Sequence, residues 1–177
     1  MFTLKVQKDA KSSINYFEEH LSSNEKTAGY YVGGRDISVG VWYGAAGPNL
    51  GLTSASAVTN DVFTRLISNQ HPSEEKKITP RVKENRRLYF DGTMSAPKSV
   101  SIMALVADDQ RLLIAHQEAN AEALSYIQTL AQTRVRVKGK NELRKTGNIL
   151  AAQFTHTTSR SNDPQLHTHN VIFNFTW

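Results

Sequence analysis

The stretch from Leu150 to Phe175 constrains the fold more than any other. Leu150, Ala152, Phe154 and His156 fall on one parity, and His167, His169, Val171, Phe173 and Phe175 likewise share one. Successive side chains of an extended strand point to opposite faces, so in two strands each set would form an apolar stripe that ends in histidine. Between the sets, Ser161-Asn162-Asp163-Pro164 is a cluster of turn formers, which predicts a hairpin with three imidazoles meeting beside the turn. Three neutral imidazoles suit a divalent cation with coordination positions left open. Any one of these histidines alone would read as a core or surface residue; shared parity at the end of an apolar stripe favours a metal site.

The rest of the chain supplies cover for such a hairpin. Met1 to Gln7 alternates Phe2, Leu4 and Val6 with polar residues and reads as a half-buried strand. A helix capped by Asp9 and running to about Leu21 follows, with Ala10, Ile14, Phe17 and Leu21 as its apolar stripe. Tyr16 projects roughly 200° from Ile14 at about 100° per residue, off that stripe, and so reads as a partly exposed tyrosine. Residues 22 to 59 are rich in glycine, serine and asparagine and read as loop, with a short helix from Thr59 to Ser68 and a turn that takes in His71. Leu88 to Asp91 reads as a short strand with a carboxylate at its end. Ser95 is placed as the cap of a helix with Pro97 at an early position and Val100, Met103 and Ala104 on its apolar side. A long helix to about Thr133 is expected to bury Leu112, Ala115, Ala119, Leu124, Ile127 and Ala131, with His116 in packing or at the surface. A basic strand, Arg134 to Lys140, precedes the final hairpin. This order predicts an α+β fold, a central antiparallel sheet flanked by helices.

Charge narrows the partner. With 21 Lys and Arg against 16 Asp and Glu, the formal charge is +5 and the pI about 9.5, which favours a polyanion. Lys76 to Arg87 is one basic stretch. In the second, Arg134, Arg136, Lys138 and Lys140 would line one face of a strand, either as a solvated face or as phosphate contacts. The absence of cysteine excludes disulfides and thiolate metal sites and fits a reducing cytoplasm. Residues 1 to 7 lack a secretory h-region, and no apolar run is long enough to span a membrane. A cation beside a tyrosine would suit phosphoryl transfer, since a phenol with a pKa near ~10 needs help to attack at neutral pH. Asp91 could accept that proton or hold a ligand histidine through its second nitrogen.

Several motifs carry a resemblance that spans essentially the whole chain: Tyr16; Tyr30-Tyr31; Trp42-Tyr-Gly44 followed by Leu50-Gly-Leu52; Phe90-Asp91 leading into Ser95-Ala-Pro-Lys-Ser-Val-Ser101; and His156 with Asp163-Pro-Gln-Leu-His-Thr-His169. In these the chain resembles the N-terminal relaxase domain of MobF-type conjugative relaxases, the TraI- and TrwC-like members of the HUH endonuclease superfamily. The resemblance implies the palm-like, ferredoxin-like architecture of HUH relaxases. It also implies one relaxase domain over residues 1–177, ending short of the family's usual C-terminal boundary and without the helicase domain that many members carry.

The implied activity is site- and strand-specific nicking and strand transfer of single-stranded DNA at a plasmid origin of transfer, through a 5′-phosphotyrosyl intermediate. That would start conjugative transfer and plasmid mobilisation. Tyr16 would be the first nucleophile and Tyr31, or Tyr30, the second. Many members pair tyrosines at the first position; Phe17 stands there here, and the core stripe accounts for it. His156, His167 and His169 would hold Mg²⁺ or Mn²⁺, with Zn²⁺ or Ni²⁺ also acceptable to such a set. Asp91 would orient a histidine or assist the phenol. Lys98 and Arg160 are candidate phosphate contacts or solvated cations, and Trp42 stacks on a base or packs on a loop. Accessory relaxosome proteins and a coupling protein would be partners of a monomer in the bacterial cytoplasm. A rolling-circle replication initiator of the same superfamily and a nonenzymatic DNA-binding module are the competing interpretations. The Ser-Ala-Pro-Lys-Ser-Val-Ser run disfavours the initiator.

Overall fold

Five strands form the sheet that carries the histidines, in the spatial order β1 (Phe2–Gln7), β3 (Tyr89–Ser95), β7 (Pro164–Phe173), β6 (Ala151–Thr158) and β2 (Val41–Tyr43), every neighbouring pair antiparallel. The computed structural model describes residues 1–16, 40–80, 85–159 and 161–177. Tyr30, Tyr31, Arg160, Phe17 and Leu21 lie outside the described residues. The fold is α+β, as the order of elements implied.

Because β7 and β6 are interior strands, both of their faces need cover, and both are apolar over much of their length. On the first face Trp42, Tyr89, Leu150, Ala152, Phe154, Val171, Phe173 and Phe175 join Phe63, Leu66 and Ile67 of α2 (Asn60–Ile67) in one cluster. Ala10 and Ile14 of α1 (Ala10–Tyr16) pack against it. On the second face Leu124 of α4 (Gln110–Thr129) meets Ala151 and Ile172, and Ala104 and Leu105 of α3 (Lys98–Leu105) meet Leu166. Among the described residues, two helices thus cover each face of β6 and β7. Asp9 starts α1 as expected, accepting from the Lys11 amide at 3.0 Å, and Thr59 caps α2 by accepting from the Val62 amide.

Several elements differ from expectation. The segment expected as one basic strand is a hairpin of β4 (Gln132–Val137) and β5 (Lys140–Lys145), reversed at Lys138 and Gly139, whose φ values of 48° and 81° make a tight two-residue turn. Lys138 therefore sits in the turn, and Lys140 pairs with Val137 on the other face, leaving Arg134 and Arg136 opposite Leu143 and Asn141. The strand expected to end at Asp91 continues to Ser95, so Ser95 pairs with His167 and Pro97 takes the cap position of α3. In α3 the buried face is Ser101, Ala104 and Leu105; Met103 is 50% exposed. In α4 Ala115 and Ala119 are exposed, while His116, Asn120 and Leu124 are buried. Phe2, Leu4 and Val6 stay 39%, 54% and 44% exposed, because β1 is an edge strand whose second face has no helix among the described residues over it.

Phe63 is the hub of the first cluster. It is fully buried, with its ring 5.6 Å from Phe173, 6.4 Å from Tyr89 and 6.5 Å from Phe154. Phe63→Ala should therefore cost about 3–5 kcal/mol in equilibrium denaturation, and a loss below about 1 kcal/mol would show that this face does not pack as described.

Candidate metal centre

The register of β6 and β7 brings the histidines together. His156 lies directly opposite His167 and Phe154 opposite His169, so the stripe that packs as core from Leu150 to Phe154 turns into imidazole at the end nearest the hairpin turn. A register shift between His156 and Thr158 breaks the ladder beside that turn, where Asn162 adopts a left-handed φ of 59° and Ser159 exchanges backbone hydrogen bonds with Asn162 and Asp163. The three ring centroids are 5.2, 5.3 and 5.5 Å apart. One nitrogen from each ring lies within 4.8 Å of the others, and all three side chains are half-buried.

The donor chemistry fits a divalent ion. His169 Nδ1–H donates to the Asp91 carboxylate at 3.0 Å, with Thr93 Oγ1 3.3 Å away, and His167 Nδ1–H donates to the Gln165 carbonyl at 3.0 Å. Those bonds fix the rings and leave each Nε2 lone pair for a ligand. Burial, aided by neighbouring His169, pushes the His167 pKa below the ordinary histidine value, against the opposing pull of the Gln165 carbonyl and Asp91. Burial thus favours the neutral imidazole of His167, the form that a ligand must take. Ligand nitrogens around a tetrahedral ion with bonds of about 2.1 Å stand about 3.4 Å apart, so modest ring rotation closes the set. Asp91, 7% exposed and bonded to His169, has the orienting position of its two expected roles.

Tyr16 ends α1 beside this trio. Its ring centroid is 6.3 Å from that of His169 at 71°, edge to face, and the half-buried side chain packs on the margin of the first core cluster. The helical wheel separated it from Ile14; the structure places it where α1 passes from core to site. Tyr89 shares that face of the sheet but is 1% exposed, with burial holding its phenol above the ordinary range, so it is a core residue.

The other expected residues are distributed more widely. Trp42 is 2% exposed, its ring 6.1 Å from Phe173 and its indole N–H donating to the Ala57 carbonyl, so it packs rather than offering a stacking face. Lys98 opens α3 and donates through Nζ to the Pro164 carbonyl at 3.0 Å, next to the start of β7. Arg134 and Arg136 are exposed on the β4–β5 hairpin. His71 is buried, with Nδ1 accepting from the Ser73 amide at 3.3 Å. His116 packs behind the sheet and takes no part in the trio. Sequence reasoning missed Thr93, which shares the parity of Asp91 and could have been found by it, and also the polar face of α4. The signal for that face was His116, Asn120 and Leu124 at a spacing of four.

This arrangement defines an α+β domain with a candidate metal site at the hairpin end of its sheet, where a cation would sit beside a tyrosine. The model of the TrwC relaxase family matches residues 10–177, and the chain belongs to that family. It is 40% identical over 178 residues to the multifunctional conjugation protein TraI of Escherichia coli, and 39% identical to TraI of strain K12. Each alignment takes in 99% of this chain but 10% of the relative, so the chain spans about a tenth of those proteins. Among solved structures, the metal-bound complex of the conjugative relaxase TrwC with oriT DNA matches with a TM-score of 0.79 at 32% identity, over 99% of this chain and 57% of that one. A copper-bound TrwC complex with oriT DNA also gives 0.79, at 34% identity and 58% coverage of that chain.

Burial is the largest cause of a lowered pKa at both His116 and His167. The unfolded chain then takes up protons before the folded one does. Stability should be level above about pH 7 and fall as pH drops below about 6.5, the ordinary histidine value. Thermal melts in chelator from pH 8 to 5 test this, and a midpoint that rises on acidification would contradict it.

Proposed function

We propose that this chain nicks and rejoins single-stranded DNA at a plasmid origin of transfer, as a relaxase that starts conjugative transfer. The observation that carries the proposal is the histidine trio with Tyr16 packed against His169. Membership of the TrwC relaxase family supports it, as do the matched TrwC complexes with oriT DNA and a bound metal.

In the proposed reaction the Tyr16 phenolic oxygen attacks phosphorus of the scissile phosphate. The new phosphotyrosyl ester holds the 5′ side and the P–O bond to the 3′ oxygen breaks; the phenol's proton passes to water, and water returns one to the departing 3′ oxygen, which leaves as a 3′-OH. A divalent ion on the trio would draw charge from the nonbridging oxygens and favour attack. His156, His167 and His169 hold that position, Asp91 fixes the His169 ring, and α1 keeps the Tyr16 ring beside it. A 3′-OH attacking the ester reverses the step and rejoins a strand. Tyr31, or Tyr30, is the proposed second nucleophile for strand transfer. Mg²⁺ or Mn²⁺ is the proposed physiological ion. Accessory relaxosome and coupling proteins are the proposed partners, acting with a monomer in the bacterial cytoplasm. No helix among the described residues is long and apolar enough to cross a membrane. Residues 1–177 are proposed as one relaxase domain.

Lys98, Arg160, Arg134 and Arg136 are proposed to meet phosphates. Each phosphate contact on a single strand contributes about 0.7 to the slope of log K against log salt, so Arg134→Ala with Arg136→Ala should flatten that slope by about 1.4. An unchanged slope would remove the hairpin from the interface.

Incubating the chain with single-stranded origin DNA and Mn²⁺ should give a covalent adduct on denaturing gels that Tyr16→Phe abolishes. His167→Ala should lose the adduct while retaining DNA affinity within a few-fold, because phosphate contacts elsewhere carry most of the binding. An adduct formed by Tyr16→Phe would refute the assignment of the nucleophile.

A further inference from the structure

The strand that presents two of the ligands is gripped from behind. His167 and His169 face the site, and the residues alternating with them, Leu166, Thr168 and Asn170, face α3 and α4 and are 0%, 2% and 0% exposed. Each of these three meets a polar helix residue. The Leu166 amide donates to Ser101 Oγ at 3.0 Å. Thr168 Oγ1 lies 3.0 Å from His116 Nε2 and 3.0 Å from Thr155 Oγ1. Asn170 and Asn120 exchange two amide hydrogen bonds, of 2.8 and 3.1 Å. Asn170 also donates to the Gly92 carbonyl at 3.0 Å and accepts from Gln153 at 3.3 Å. One side chain thereby ties together β3, β7 and β6, the strands that hold Asp91, the His167 and His169 pair, and His156.

The spacing matches on both elements. Four residues of helix advance about 6.0 Å and two residues of strand about 6.7 Å, so His116 and Asn120 stay in step with Thr168 and Asn170. One turn further on, the same stripe of α4 becomes Leu124 against Ile172, an ordinary apolar contact. Polar pairing is confined to the part of β7 whose front carries the histidines; where the front carries core, the back is apolar too. An apolar seam tolerates small slides, whereas buried hydrogen bonds fix one register and are destabilising when broken.

We propose that His116 and Asn120 are positioning residues for the metal centre, setting from the opposite face of the sheet the register and pitch at which β7 presents His167 and His169. This rests on the trio being a metal site. The test uses Co²⁺ alone as the probe, titrated into the 177-residue chain, with affinity and the visible d–d absorption band as readouts and the melting temperature of the metal-free chain measured alongside. His116→Phe keeps an aromatic ring at the position and removes the bond to Thr168; it should weaken Co²⁺ binding about tenfold and shift the band. His116→Gln, which can bond Thr168 again, should restore both. Leu124→Ala should lower the melting temperature at least as much while leaving affinity and band unchanged. If His116→Phe does not fold, Thr168→Val removes the same bond from the strand side, with the same expected loss. Wild-type affinity and band in the folded bond-deleted variant would overturn the inference, as would an equal loss of affinity in Leu124→Ala, which would mean that stability alone matters. A wild-type chain that takes up no Co²⁺ while His156, His167 and His169 are intact would instead overturn the metal site itself, and this inference with it.

Discussion

The pairing of β6 with β7 is the constraint on which the rest depends. Side chains alternate along a strand, so a slip of one residue would send the histidines of one strand to the far face and the apolar residues to the site. With His156 opposite His167, a single register does two things at once: it buries Phe154, Val171 and Phe173 under α2, and it converges three imidazoles at the end of that stripe. Core and site are one continuous surface, and the hydrophobic drive that buries the core also fixes the geometry of the ligands. The site needs no separate scaffold.

Half-burying three imidazoles in such a place carries a cost, and the structure shows how it is offset. His167 is shifted toward neutrality by burial, which removes the charge that would be expensive there and leaves the form that binds a metal. His169 is held by a buried carboxylate, which is in turn placed by β3, the neighbour of β7. On the reverse face, no buried side-chain polar atom among the described residues lacks a hydrogen-bond partner, so the polar stripe of α4 is a completed network. The two faces of β7 thus carry linked tasks, ligands in front and register behind. Tyr16 comes from the opposite end of the chain and reaches the site only because α1 lies on the front face.

Legibility in the sequence followed how strongly local pattern was coupled to burial. The parity of residues 150 to 156 and 167 to 175 predicted the hairpin, the trio and the core stripe beyond it, because period-two alternation of that length fits a half-buried strand and no helix. The extent of α2 was legible for a similar local reason, the helix expected from Thr59 to Ser68 forming as Asn60–Ile67. The polar buried face of α4 was not: His116 and Asn120 are types that mostly sit at surfaces, and only tertiary pairing with Thr168 and Asn170 makes them interior. β5 was missed because Lys140 to Lys145 is an exposed strand with no apolar face to reveal it. For Trp42 the sequence leaves two roles open, and burial assigns it to the core. The role of nucleophile proposed for Tyr16 comes from family resemblance; its contact with His169 is a structural fact that no helical wheel contained.

The central claim is that His156, His167 and His169 bind one divalent ion as a set. X-ray absorption at the metal edge of the chain loaded with one equivalent of Zn²⁺ tests it most directly. Three imidazole nitrogens are expected at about 2.0–2.1 Å, with their multiple-scattering signature, falling to two in His156→Ala. A shell of oxygens alone, or one imidazole in the wild-type chain, would contradict it.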